Sequence, residues 1–444
     1  MRAAVLFLVF GMVLVACGRG PDADVLDPYA SSLVTALDEH RNTADIAAVT
    51  DAAAATGDER FVPYLVDLFR VETEDARLSA ITDALVTLTG VRPTGRQRED
   101  YVAFGSWLLD RPDVVPPETY PSWKARLYRE LSDEFEVLIN SLDPRTAAEV
   151  QWVGVPFDGI PAIDTPPLVG VAGAGYLAPT DLVFGTVMSG VARAYPLRIL
   201  HVHEMSNDVL NGVPVVLANC TLCRSGVLYL RSVAGRELEF VTSGLLLNSN
   251  KLMVDLQTRT IWQQLTGTAI AGPLAGTQLE RLFLTTTTWA DWSAQHPNTL
   301  VLALPEQRTP VLALGDVSYA ERDAHQSYHD SENLWFPAPS TTGGPPKVEI
   351  LGVVHDDVAL AIEVDALASD GLVVVNVGSD TISAIPTEQG GGRVFLGDIE
   401  DRAIDAMTET ELVLDDGRRL PRIQAIPAYW FAWSSIHPDS ERWP

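Results

Sequence analysis

The stretch "LHVHEMSNDVLNGVPVVLANCTLCRSGVLY", Leu200 to Tyr229, decides how this chain is read. On either side of Cys220-Thr-Leu-Cys223 lie short apolar runs, "VPVVLANC" and "GVLYLRSV", which predict two strands joined at the cysteines. Ahead of them, "AYPLRILHVHEMSNDVL" predicts a helix. Pro196 suits a first turn, and Leu197, Leu200, Met205 and Leu210 mark its buried face. On that helix His203 and Asn207 share one side at i, i+4, and Glu204 and Asp208 share the adjacent one.

Working outward, "DLVFGTVMSGVARAY" and "RELEFVTSG" also predict strands, so the chain after Pro144 reads as β-rich. The region 22–140 predicts helices instead. Phe61, Leu65 and Leu68 fall on one helical face, Ile81, Leu85 and Leu88 on another, with Gly57-Asp58 opening the first and Gly90 ending the second. Trp107, Leu108 and "WKARLYRELSDEFEVLI" extend the helical pattern. The two helices around the acidic turn resemble one HEAT-type unit, which must pack on neighbours; a helical packing domain is preferred to a peptide-binding solenoid, with a protein partner through this region as the alternative. The expected fold class is α+β: a helical region, then β-rich modules.

The β-rich part carries a faded repeat. "FGTVMSGVARAY" aligns with "LGVVHDDVALAI", setting Gly185, Val191, Ala192 and Ala194 opposite Gly352, Val358, Ala359 and Ala361. "VPVVLAN" aligns with "GLVVVNV", and Trp289, Trp292, His296 and Pro297 with Trp430, Trp433, His437 and Pro438. The boundaries expected are a first module at 145–303, a linker at 304–344 and a second copy at 345–442. The second copy lacks both the cysteines and the His-Glu pair. Because it keeps the tryptophans, these read as core.

The first sixteen residues, "MRAAVLFLVFGMVLVA", join one Arg to an apolar run too short to span a bilayer, which needs roughly 20 residues. With Cys17 next, Leu14-Val15-Ala16-Cys17 resembles a bacterial lipobox. The expectation is a signal peptide at 1–16, lipidation of Cys17, and a membrane-anchored body in the periplasm or at the cell surface. Acidic residues outnumber basic ones, 59 to 31, for a net charge of −28, which argues against nucleic acid as a partner.

Seven ordered motifs complete the reading: "DGIPAID", "ARAYPLRIL", "HEMSND", "CTLCRSGVLY", "SGLLLNSNKLMVD", "IWQQLTGTAIAGPLAG" and "TWADWSAQHP". Together they resemble the family catalogued as domain of unknown function 3179, densely over 153–303 and loosely beyond. The resemblance implies no established reaction, substrate or cofactor. The chain departs from the usual family form at Val202, Thr221 and Arg224.

The chemistry of Cys220 and Cys223 therefore rests on their surroundings, and three readings stand. With His203 they form a soft ligand set for copper or zinc, supported by Glu204, Asn207 and Asp208. As a thiol pair they could exchange disulfides, although the strand after Cys223 does not fit a thioredoxin fold, which places a helix there. As a short disulfide they would pin a strand-turn-strand in a scaffold protein. Ser243, Asn248, Ser249 and Asn250, with Trp262 and Gln264, could line a polar pocket if the fold brings them to the cysteines. Otherwise they are a hairpin turn and a core Trp. His325 and His329, at i, i+4, are expected on a solvated linker. No phosphate loop, dinucleotide fingerprint or zinc-protease helix is present, since Asn207 stands where that helix needs its second His.

Overall fold

The computed structural model describes residues 28–305, 310–311, 315–316, 319, 325–388, 391–399 and 401–444. The expected signal peptide and Cys17 lie outside them.

Helices form the N-terminal region as their apolar spacing predicts. Val62–Val71 and Asp75–Thr89 bury Leu65, Leu68, Ile81 and Leu85. Asp58 accepts the Arg60 amide at 3.0 Å before the first, and Gly90 closes the second at φ 70°. Tyr120–Arg129 and Glu134–Asn140 follow. Buried Lys124 ties the bundle together, 2.9 Å from Asp67, whose carboxylate also accepts from Tyr120 and Tyr128. The helices do not form a separate globule. Their core is continuous with Leu245, Leu252, Val254 and Ile261 from the first β-sheet.

That sheet runs Val150–Trp152, Phe240–Leu247, Asn250–Asp255, Ile261–Gln263, Ala269–Ala271. A second sheet runs Arg281–Leu282, Ser225–Leu230, Val213–Cys220, Met205–Leu210, Ile163–Asp164. The fold class is α+β, helices first and a β-rich region after.

Two further sheets share an arrangement. In one, Leu182–Met188 and Val191–Pro196 form a hairpin, with Thr285–Thr288 antiparallel on one side and Leu300–Leu302 parallel on the other. In the other, Glu349–His355 and Val358–Glu363 form the hairpin, with Ala425–Tyr429 antiparallel and Glu441–Trp443 parallel. Each hairpin runs into a seven-residue helix, Leu197–His203 or Val364–Asp370. Each packs a glycine, Gly185 or Gly352, flat against an indole, Trp292 or Trp433. Each indole lies beside a histidine, with centroids 4.1 Å apart to His296 and 4.3 Å to His437.

The opening stretch folds differently from its helical expectation. The helix stops at His203, Glu204 turns left-handed at φ 58°, and Met205–Leu210 is a strand paired with Val213–Cys220. Asn207 and Asp208 therefore point to opposite faces of a sheet, as neighbours on a strand do. The helical periodicity continued only because Met205 and Leu210, buried on the strand, mimic it. The expected solvated linker also differs. Tyr328 is fully buried, and its hydroxyl donates to Leu222 O at 3.1 Å, so this segment packs onto the cysteine turn.

Candidate functional site: the cysteine hairpin and the clefts it walls

Strands Val213–Cys220 and Ser225–Leu230 form a hairpin in which Cys220 pairs with Ser225. Four residues, Thr221 to Arg224, close it, with the Arg224 amide bonding Thr221 O at 3.2 Å and Arg224 at φ 51°. The turn brings the two Cα atoms to 5.3 Å, and the sulfurs are joined as a disulfide. A strand rather than a helix follows Cys223, as the sequence implies. Both sulfurs are buried, among Leu222, Leu246, Tyr328, Tyr429 and Phe431. The second half reaches in directly: the Tyr429 amide donates to Cys223 O at 2.8 Å.

Two of the polar residues singled out in "SGLLLNSNKLMVD" and "IWQQLTG" meet Cys223, and Gln264 backs one of them. Asn250 donates to Cys223 Sγ at 3.2 Å and to Gln264 Oε1 at 3.1 Å. Gln264 in turn donates to Ala218 O and accepts from Ser225, and Ser249 O lies 3.4 Å from Cys223 Sγ. These groups are buried and line no open pocket; they hold the back of the hairpin. Asn248 and Ser249 form the tip of a hairpin, both at positive φ. Ser243 bonds Leu252 O at 2.6 Å inside its own sheet, and Trp262 is core, donating to Asp255 at 3.0 Å.

The imidazole of His203 is occupied elsewhere. Its Nδ1 meets Pro161 O at 2.9 Å and its Nε2 meets Tyr319 Oη at 2.6 Å, in a pocket with Val155, Ile160 and Val202. Burial lowers its pKa, with the Pro161 bond opposing. With the sulfurs bonded to each other and both His203 nitrogens engaged, the expected copper or zinc ligands share no coordination sphere in this state. Asn207 bridges two sheets through Asp164 and Phe240. Asp208 is buried against Arg193 at 2.7 Å and Tyr195 at 2.9 Å. Both are structural ties away from the sulfurs.

Glu204 shares a small cavity with Cys220. Its carboxylate lies 2.5 Å from the buried Lys251 ammonium, which also donates to Thr242 at 2.7 Å. The pair lines a cavity of about 30 Å³ together with Cys220, Thr221 and Leu222. Lys251 is a residue that the sequence reading missed. Its signal was available: one Lys inside a strand, "NKLMVD", whose six positions are all buried. Burial pushes its pKa down, and Glu204 opposes that.

On its outer side the hairpin walls a larger cleft. Asn219, Thr221 and Arg224 face His201 and Arg198 of the short helix, Glu349 and Pro427 of the second half, and His329 of the intervening segment. The cavity measures about 240 Å³. His201 and His329 stand with ring centroids 6.4 Å apart, and His329 Nδ1 is fixed by Tyr429 Oη at 2.8 Å. Each guanidinium is paired: Arg198 with Asp181 at 2.6 Å and Arg224 with Glu349 at 3.0 Å. Burial raises the Glu349 pKa, against the pull of Arg224. Phe184, Leu197, Ile350 and Val364 supply apolar surface. The arrangement can hold a small ligand with an apolar body and polar ends.

A family model described as "Protein of unknown function (DUF3179)" matches residues 157–440, more than half of the chain. No curated protein and no solved structure matches.

Proposed function

The chain belongs to the DUF3179 family, and on that premise we propose that it is a small-molecule binding protein. Its site is the cleft between the two β-rich halves. One observation carries this reading: the cleft is built jointly by the cysteine hairpin, the His201 helix, the His329 segment and the second half. Those segments set His201, His329, Arg198, Arg224 and Glu349 around an apolar lining of Phe184, Leu197, Ile350 and Val364, which is the make-up of a small-molecule site. The two halves are read as a duplication, because their strand order, Gly-Trp pairs and Trp-His contacts recur at the aligned positions. In this reading the first copy kept the chemistry and the second became the opposing wall. The helical region is read as HEAT-like and as the place for a protein partner. The body is read as anchored outside the cytoplasm through Cys17, where a disulfide persists.

The test uses rim residues whose side chains are exposed. Thr180→Trp and Gln326→Trp should fold normally and plug the mouth. A panel of small amphipathic organic acids and amines is screened by thermal unfolding of the full chain. A compound at one hundred times its Kd stabilises by about 2.7 kcal/mol. The reading predicts such a shift in the wild type and its loss in both variants. A shift that persists in both variants places the ligand elsewhere.

A further inference from the structure

We propose that Cys220–Cys223 is an exchangeable disulfide that oxidises small thiols, with Cys220 as the sulfur attacked and Glu204 and Lys251 as its charged partners.

The geometry separates the two sulfurs. Cys223 is fully buried at the back of the hairpin, held by Asn250 at 3.2 Å and covered by Tyr328 and Tyr429. Cys220 borders the small cavity in which the Glu204–Lys251 pair sits. Five residues of that cavity's wall, Val153, Ile160, Glu204, Thr221 and Leu222, also line a groove of about 770 Å³ between the helical region and the first half. A thiol entering by the groove and displacing the Leu222 side chain meets Cys220 first.

The ion pair is the second observation: it lies in the cavity that Cys220 borders. Glu204 also sits in the left-handed region at φ 58°, where a non-glycine residue is strained. The turn after the equivalent helix of the second half has Gly371 there, at φ 73°, after a helix of the same length and the same entry geometry, so the strand Val373–Val377 answers to Met205–Leu210 and not to Val213–Cys220, as the match of "VPVVLAN" with "GLVVVNV" had it. The half without cysteines uses the relaxed residue. The half with them bears the strain and sets a carboxylate and an ammonium beside Cys220.

The step balances as follows. The substrate thiolate attacks Cys220 Sγ, forming a mixed disulfide, and the Cys220–Cys223 bond breaks. The electron pair goes to Cys223, whose thiolate accepts the Asn250 hydrogen bond and then a proton. A second substrate thiolate attacks the substrate sulfur of the mixed disulfide. Cys220 leaves as a thiolate beside the Lys251 ammonium. Two thiols become one disulfide, and the protein disulfide becomes a dithiol holding the two protons.

The experiment treats full-length wild type with reduced glutathione, and Cys223→Ser and Cys220→Ser, whose single thiol can form an adduct only with a disulfide, with oxidised glutathione, all under native conditions, and locates adducts by mass spectrometry. The proposal predicts native reduction of the wild type, a stable adduct on Cys220 in Cys223→Ser, and little adduct on Cys223 in Cys220→Ser. Lys251→Met should slow adduct formation about tenfold through loss of thiolate stabilisation. Thr242→Val, which removes only the Lys251 hydroxyl partner, serves where Lys251→Met does not fold, and it should slow the reaction in the same direction. A disulfide that yields only after denaturation, or adducts that form equally on either cysteine, overturns the proposal. Either result leaves the binding cleft standing, since that reading does not depend on exchange.

Discussion

At the scale of single residues, hydrogen bonds divide the neighbourhood of the cysteines into two groups. Cys220, Cys223, Glu204, Asn250 and Gln264 converge, while His203, Asn207 and Asp208 are tied into the surrounding sheets. Residue types alone could not tell these apart. An imidazole next to a carboxylate reads as a ligand until its partners, Pro161 and Tyr319, are known, and both are distant in sequence. Asp208 gives a direct check. Asp208→Ala leaves the buried Arg193 guanidinium without its carboxylate, and we expect a loss of about 3 kcal/mol in denaturant unfolding. Binding in the cleft should be unchanged once the folded fraction is matched. A large change in binding with little loss of stability would return Asp208 to the site.

At the scale of elements, the helices and hairpins were legible because each is set by local spacing and turn chemistry. Gly90 at a helix end and the alternation in "VPVVLANC" are examples. The helix-to-strand switch at Glu204 was not legible. The signal there is a backbone conformation that Glu rarely adopts, and a sequence carries no mark of it. The proposed duplication rests most on the Gly-Trp pairs. A Cβ at Gly185 or at Gly352 would overlap the indole of Trp292 or Trp433. Gly185→Ala and Gly352→Ala should each cost about 1–3 kcal/mol as overpacking, measured by denaturant unfolding. A neutral outcome at one site and not the other would count against the proposed equivalence of the two halves.

At the scale of the whole molecule, the halves are clamped by charge. Glu409 lies 2.7 Å from Arg393 and 2.8 Å from Arg422, and Arg422 reaches across to Leu284 O at 2.8 Å and Thr285 Oγ1 at 3.0 Å. Burial pushes the Glu409 carboxyl up, but His296, Arg393 and Arg422 outweigh it and hold the pKa at about 2. A free Glu titrates near 4.3. The folded value is the lower one, so the clamp's contribution is complete above pH ~4.3 and fades as pH falls towards about 2. Glu409→Gln should therefore cost about 3 kcal/mol at neutral pH and progressively less below pH ~4. A penalty independent of pH would show that the charge is not what matters.

The sequence also could not reveal that the segment between the halves folds back onto the cysteine turn. Its anchor, Tyr328 to Leu222 O, joins positions far apart in the chain, and Lys347 braces it by donating to Tyr328 O at 2.6 Å. That return places His329 opposite His201 and completes the cleft. The most direct test of the binding reading is a crystal structure with the compound that most stabilises the full chain. The account predicts density for it between His201 and His329, against Thr221 and Ile350. Density at another surface, with the cleft filled only by solvent, would contradict it.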